Sequence, residues 1–394
     1  MEIISTSAAA VAILVALLST YLISNKIVTP SSHGRFLTID GLRGYLAFFV
    51  FLHHSCIWYY YLKSGVWVAP PSQLFVHFGQ AGVALFFMIT GFLFFSKLLD
   101  DRDCGVDWLR LYVSRFLRLT PLYVFSIFLL LLIVWILTKN GPVAPTSEII
   151  TSIIKWLSFT IFGAANVNGF TGTNLINAGV TWSLPYEWFF YMMLPIIAFV
   201  IGIRPTAKYV VISALSAVAF SFYYLGDGYY WLFLGGIVAA ILVRSARFRK
   251  FAVSKLATLL VATLVIYTVA NYSSVYGSSK AKFFLTMAFC LIAGGNSIFG
   301  TLKSKLSRAM GEMAYSIYLL HGILLFVTFN FVIGTSLASK LTPIQYWGVI
   351  VLLTPFLILV CGITFRLIEK PAIKKTGVLT EWIRAQKITH ASHL

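Results

Sequence analysis

The chain has 394 residues, of which 59% are hydrophobic and 11% charged, with mean hydropathy +0.88. Soluble globular chains carry about 25% charged residues, so this composition excludes an ordinary soluble domain. The formal charge of +18 does not point to nucleic acid, because the basic residues sit in short connections between apolar runs and form no basic patch with a recognition fold.

Runs such as "VFSIFLLLLIVWILT" and "YWGVIVLLTPFLILVCGITF" are long enough to cross a bilayer as helices. No alternating ten-residue pattern indicates a barrel. The expected fold class is all-α, a polytopic helical membrane protein with about eleven spans. They are placed near 7–24, 42–62, 80–97, 121–138, 182–203, 208–225, 228–243, 256–272, 283–300, 312–333 and 345–367. The first span is read as retained: "MEIIST" before it has no Lys or Arg, and no cleavage site follows. Alternate connections then hold 24 of the 30 Lys and Arg residues. That asymmetry predicts an outer N-terminus and a cytoplasmic C-terminus. The long stretch 139–181 falls outside, and "EIITSIIKWLSFTIFG" is expected to lie at the interface. Three regions are expected: an N-terminal span and connection (1–35), a membrane domain (36–372) and a basic cytoplasmic tail (373–394). The four cysteines are scattered without metal-ligand spacing, and no metal site is expected.

The second span, "IDGLRGYLAFFVFLHHS", carries charged and titratable groups, which are costly in hydrocarbon. Arg43 and His54 are eleven residues apart, within about 20° of three full helical turns. They therefore share one face, with His54 roughly 16 Å deeper than Arg43. His53 lies about 80° off that stripe, so His54 is the preferred partner of Arg43. His321, in "EMAYSIYLLHGI", reaches a similar depth from the same side. Glu187, in "TWSLPYEWFFYMMLP", enters from the outer side and needs a partner or a wet cavity. Trp182 and Ser183 precede it. On the cytoplasmic side, "WLRLYVSRFLRLTPLY" supplies Arg110, Arg115 and Arg118, a cluster suited to phosphate. Glycines Gly79, Gly82 and Gly91 are expected to permit close helix approach. These groups fit either group transfer across the membrane or proton-coupled transport, and the pattern alone does not choose.

Six segments in order, "IDGLRGYLAFFVFLHH", "GQAGVALFFMITGFL", "VSRFLRLTPLY", "WSLPYEWFFYMMLP", "AYSIYLLHG" and "FRLIEKP", give the chain a clear likeness. It resembles the acyltransferase 3 family of integral membrane acyltransferases over about 36–372, a family that includes O-acetyltransferases of bacterial surface polysaccharides. The resemblance implies transfer of an acyl group, usually acetyl, from cytoplasmic acyl-CoA to a glycan hydroxyl outside. The acceptor would be a lipopolysaccharide O-antigen or an exopolysaccharide, lipid-linked or polymeric, and the location a bacterial inner membrane. Acyl-CoA would be a co-substrate, with no permanently bound cofactor. The family's Arg-X10-His pair maps onto Arg43 and His54, its arginine motif onto Arg115 and Arg118, and its acidic position onto Glu187. His321 falls in the Tyr-Leu-X-His segment and is assigned, with Trp182 and Ser183, to the cavity or acceptor side. Gln80, Thr90 and the Pro185–Tyr186 pair depart from the family pattern, and the span at 7–24 is additional to its usual ten. Some relatives carry an external esterase-like domain, which is not expected here. The competing expectation is a transporter or exporter of an acyl donor or lipid-linked sugar.

Overall fold

The computed structural model describes residues 3–27, 36–139, 141–224 and 228–391. The connection after the first span, with Arg35 and the 35/36 boundary, lies outside the described residues, as do the last three residues of the basic tail. Among the described residues the architecture is helical throughout, with no strand beyond an isolated bridge between Val167 and Phe170.

The helices run α1 (Thr6–Ile27), α2 (Leu37–Ser64), α3 (Gln73–Asp100), α4 (Trp108–Leu137), α5 (Thr146–Leu157) and α6 (Leu184–Val200). They continue as α7 (Ala207–Tyr224), α8 (Leu232–Leu242), α9 (Ala246–Ala252), α10 (Lys255–Asn271), α11 (Ser279–Ala293) and α12 (Lys305–Glu312). The last are α13 (Ala314–Val327), α14 (Thr335–Ala338), α15 (Pro343–Thr364), α16 (Lys370–Lys374) and α17 (Thr376–Ala391). Each of the eleven expected spans overlaps one of these helices. Six helical stretches among the described residues are long and apolar enough to cross a membrane, or seven if the pair Tyr229–Leu242 and Ala246–Ala252, bent by 109°, is one span. The other segments are short or polar. Asp40, Arg43, His53, His54 and Lys63 dilute the apolar run of α2, and α11 stops at Ala293 rather than continuing to 300. There Gly295 takes φ 110°, and Ile298 and Phe299 also adopt left-handed backbone.

α4 begins earlier than its apolar run. Asp107 caps it, its side chain accepting from the Arg110 amide at 3.1 Å, so the arginine motif and the span beyond form one helix. Asp107 also pairs with Arg384 of α17 at 2.7 Å, which ties the basic tail to the N-terminal end of α4. The 139–181 stretch contains α5, twelve residues long and too short to span. Its Ile150, Ile154 and Leu157, at helical i, i+4, i+7 spacing, are exposed, while Trp156 is buried and donates its indole N–H to the Ala165 carbonyl at 2.8 Å. Such a stripe suits an interfacial helix.

Two backbone contacts position the site. At the first, α2 meets α12 and the 3-10 turn Thr301–Lys303 before it: a Cβ on Gly311 would lie 1.7 Å from the Asp40 carbonyl oxygen, and one on Gly41 would lie 1.9 Å from that of Leu302. With Gly44, where a Cβ would lie 2.4 Å from that of Met310, this contact brackets Arg43. At the second, α3 meets α8, where a Cβ on Gly91 would lie 2.3 Å from the Phe233 carbonyl oxygen. A backbone oxygen cannot swing aside as a side chain does, so Gly91→Ala should lower stability by about 1–3 kcal/mol, the range for overpacked sites. Thermal unfolding in detergent checks this against Gly348→Ala in α15, where an added Cβ meets nothing within 4 Å and no loss is expected.

Gln80, the departure in α3, ties α3 to the loop between α10 and α11. Its Oε1 accepts from the Ser274 hydroxyl at 2.7 Å and the Val275 amide at 2.9 Å. A glycine at this position would leave that loop uncapped.

Candidate active site

Side chains from α2, α3, α4, α6, α12, α13 and α16 enclose a cavity of about 550 Å³. Arg43, Lys97, Arg115, Arg118, Lys370 and Lys374 contribute six cations to its wall, against the carboxylates of Asp40, Glu187 and Glu312. The cavity therefore carries an excess of fixed positive charge, the field that draws in an anionic ligand. Two of the three predicted arginines belong to it. Arg115 packs its guanidinium over the Phe94 ring at 4.9 Å and donates to Ser114 Oγ at 3.3 Å. Arg118, three residues on, shares its face of α4. Arg110 is exposed in the first turn of α4 and stands outside the cavity wall, because five residues place it about 140° from Arg115 around the helix.

Glu187 reaches the same cavity from α6, whose first turn begins Leu184-Pro185, and accepts a hydrogen bond from the Tyr191 hydroxyl one turn later. Proline at this position lacks an N–H that the first turn would leave unpaired anyway, so Pro185 fits the helix start. Ser183 lines the cavity and donates to the Tyr318 hydroxyl at 2.8 Å, which in turn donates to the Val180 carbonyl at 2.9 Å. Trp182 points elsewhere, into an aromatic cluster with Phe87, Tyr229 and Tyr276.

His54 and His321 lie beyond this wall. Tyr318 is the shared element: it faces the cavity, and its ring centroid is 6.3 Å from that of His321. Phe86, also on the cavity wall, meets Tyr318 at 6.0 Å. The two imidazoles are joined by a hydrogen bond between His54 Nδ1 and His321 Nε2, 2.9 Å apart. His321 is fully buried and His54 half-buried. Trp67 stacks over His54 at 6.2 Å, with Trp58 and Tyr61 packed edge-on against Trp67. His53 is occupied structurally. Its Nδ1–H donates to the Phe75 carbonyl at 2.7 Å, and its ring fills the space that Gly79 leaves, where a Cβ would come within 2.5 Å.

The helical stripe in α2 therefore links two adjoining regions, with Arg43 in the basic cavity and His54 past the Tyr318–Phe86 layer. Sequence reasoning passed over the cavity lysines Lys97, Lys370 and Lys374, and the tyrosines Tyr191, Tyr315 and Tyr318. Lysines in short connections look alike whether they face lipid headgroups or a cavity. Tyr315 and Tyr318 were available as an i, i+3 pair on one helical face.

Residues 36–366 match the family model described as an acyltransferase domain, which is most of the chain. The chain belongs to the acyltransferase 3 family. It is also similar to Nodulation protein 10 of Rhizobium leguminosarum bv. viciae, at 24% identity over 371 residues, covering 87% of this chain and 95% of that protein. No solved structure matches. The helices α2, α4, α6 and α13, which carry Arg43 and His54, Arg115 and Arg118, Glu187, and His321, all lie within the matched region.

Proposed function

We propose that this membrane acyltransferase moves acetyl from acetyl-CoA to a hydroxyl of an extracytoplasmic glycan, such as a lipopolysaccharide O-antigen or exopolysaccharide, in a bacterial inner membrane. The observation that carries the reading is the cationic cavity adjoining a half-buried imidazole at the far end of one helical stripe. The positive-inside asymmetry supports an outer N-terminus and a cytoplasmic C-terminus, so the lysines at 97, 370 and 374 would stand at the donor's entrance.

In this reading the phosphates of the donor dock on Arg115 and Arg118, with Arg43 above them, through charge-assisted hydrogen bonds. The pantetheine arm is roughly 15–20 Å long, which suits the approximate 16 Å rise from Arg43 to His54. The Tyr318–Phe86 layer lies across that path, so the arm enters by displacing Phe86, while Tyr318 is held by its two hydroxyl hydrogen bonds. His54 acts as general base: it takes the proton of the sugar hydroxyl as the oxygen attacks the thioester carbonyl. The tetrahedral intermediate then expels the CoA thiolate, which takes the proton back from His54. Acyl ester and free thiol are the products. Trp67, stacked on His54 and half-buried, offers a ring face for the acceptor sugar. Glu187 balances the arginines and orients groups in the cavity.

Purified protein in liposomes, given labelled acetyl-CoA and an acceptor glycan, tests the reading. An enzyme of this type yields labelled glycan ester and free CoA. Intact labelled donor moving across the vesicle wall, with no ester formed, would instead establish a transporter.

A further inference from the structure

We propose that His321 is a positioning residue that fixes the tautomer of His54, presenting its Nε2 as the unprotonated ring nitrogen. The inference rests on the role given to His54 above, and it follows from three atoms. His321 Nδ1 lies 2.9 Å from the carbonyl oxygen of Ile317. A carbonyl only accepts, so that nitrogen carries the hydrogen. A neutral imidazole has one N–H, which leaves His321 Nε2 with a lone pair and makes it an acceptor. The nitrogen facing it at 2.9 Å is His54 Nδ1, which must therefore donate. His54 then holds its hydrogen on Nδ1 and its lone pair on Nε2.

The ring orientation of His321 is equally determined. Flipping it would put carbon atoms at both contacts, whereas the observed placement satisfies both nitrogens. Its surroundings hold it there: the residue is fully buried, with Phe51 and Tyr318 edge-on to its ring at 6.3 Å each. A Cβ on the next residue, Gly322, would lie 2.3 Å from the Asn177 backbone, so α13 is seated closely at this level. The chain carbonyl–His321–His54 thus does what a buried orienting group does for a catalytic histidine elsewhere. It selects the tautomer and accepts from the Nδ1–H when Nε2 takes a proton. It uses a neutral imidazole in place of a carboxylate, which suits a deep position where an extra charge is costly.

The test combines a spectroscopic signature with conservative rescue. In the wild-type protein, 15N NMR of labelled histidine, assigned by the signals that His54→Ala removes, should show His54 with a pyrrole-like Nδ1 and a pyridine-like Nε2. His321→Leu, which keeps bulk but cannot accept, should lower the turnover of acyl transfer about 100-fold. His321→Gln, whose side-chain oxygen can accept from His54 Nδ1–H, should recover at least a tenth of wild-type turnover. A pyridine-like Nδ1 on His54 in the wild type overturns the proposal, whether or not the variants fold. So does full activity in His321→Leu. Loss in His321→Gln equal to that in His321→Leu, with both accumulating in the membrane, also contradicts it. Wild-type activity in His54→Ala would instead overturn the role given to His54, and the tautomer would still be judged from the spectrum.

Discussion

Replacing His54 with alanine is expected to lower acyl transfer by about 10²–10⁴-fold, the contribution typical of a positioned general base, while the protein still accumulates in the membrane. The second half of that expectation comes from packing. His54 is half-buried and hydrogen-bonds to His321. Removing it leaves one buried acceptor unpaired, a cost of about 1–3 kcal/mol. The surrounding α2 residues Phe51, Leu52, Ser55 and Trp58 keep their burial. The effect should fall on turnover, because the proposed phosphate site at Arg115 and Arg118 stands apart from His54. The measurement is product formed per mole of reconstituted protein, beside the amount found in the membrane fraction. Undiminished turnover would remove the imidazole from the reaction.

The second large effect is expected at the arginine pair. Arg115→Gln and Arg118→Gln together should raise the KM for acyl-CoA by two orders of magnitude or more, with a much smaller change in kcat. A hydrogen bond to a charged group contributes about 1.5–3 kcal/mol, and each 1.4 kcal/mol is about tenfold in affinity. Arg118→Gln is the cleaner single substitution, since Arg115 also packs on the Phe94 ring and its loss removes a cation–π contact. Lysine should rescue poorly at either position, because it offers a point charge where a guanidinium offers a fork. Arg110→Gln serves as the comparison. Its side chain is exposed outside the cavity wall, and it should leave donor affinity within about twofold, as expected for an exposed charge. Unchanged KM in the double variant would place the donor's phosphates somewhere else.

What the sequence made legible were the features carried by local periodicity. The Arg43–His54 alignment needs only the pitch of one helix, and the apolar runs that become α1, α3, α4 and α15 need only their own composition. Glu187 stood out because an acid within such a run demands a partner, and the Tyr191 hydroxyl supplies a hydrogen bond one turn away. Long-range pairing was not legible. His54 and His321 are 267 positions apart, and shared depth gave no reason for their rings to touch. Trp182 sat beside Ser183 in the sequence, yet the 3-10 turn Val180–Ser183 sends Ser183 to the cavity and Trp182 into the aromatic cluster. The short helices α8 and α11 blurred the span boundaries for a similar reason. The 109° bend after α8 and the left-handed backbone at Gly295, Ile298 and Phe299 after α11 are backbone features that side-chain hydropathy does not encode.

The account turns on transfer through the bilayer, from a donor on the basic side to an acceptor on the other. The direct measurement uses sealed proteoliposomes with the impermeant acceptor glycan enclosed and labelled acetyl-CoA added outside, so that only molecules exposing the α17 face to the donor take part. The expected result is labelled glycan ester inside the vesicles and free CoA outside, both lost with His54→Ala. Ester formed only when donor and acceptor share one side of the membrane would contradict it.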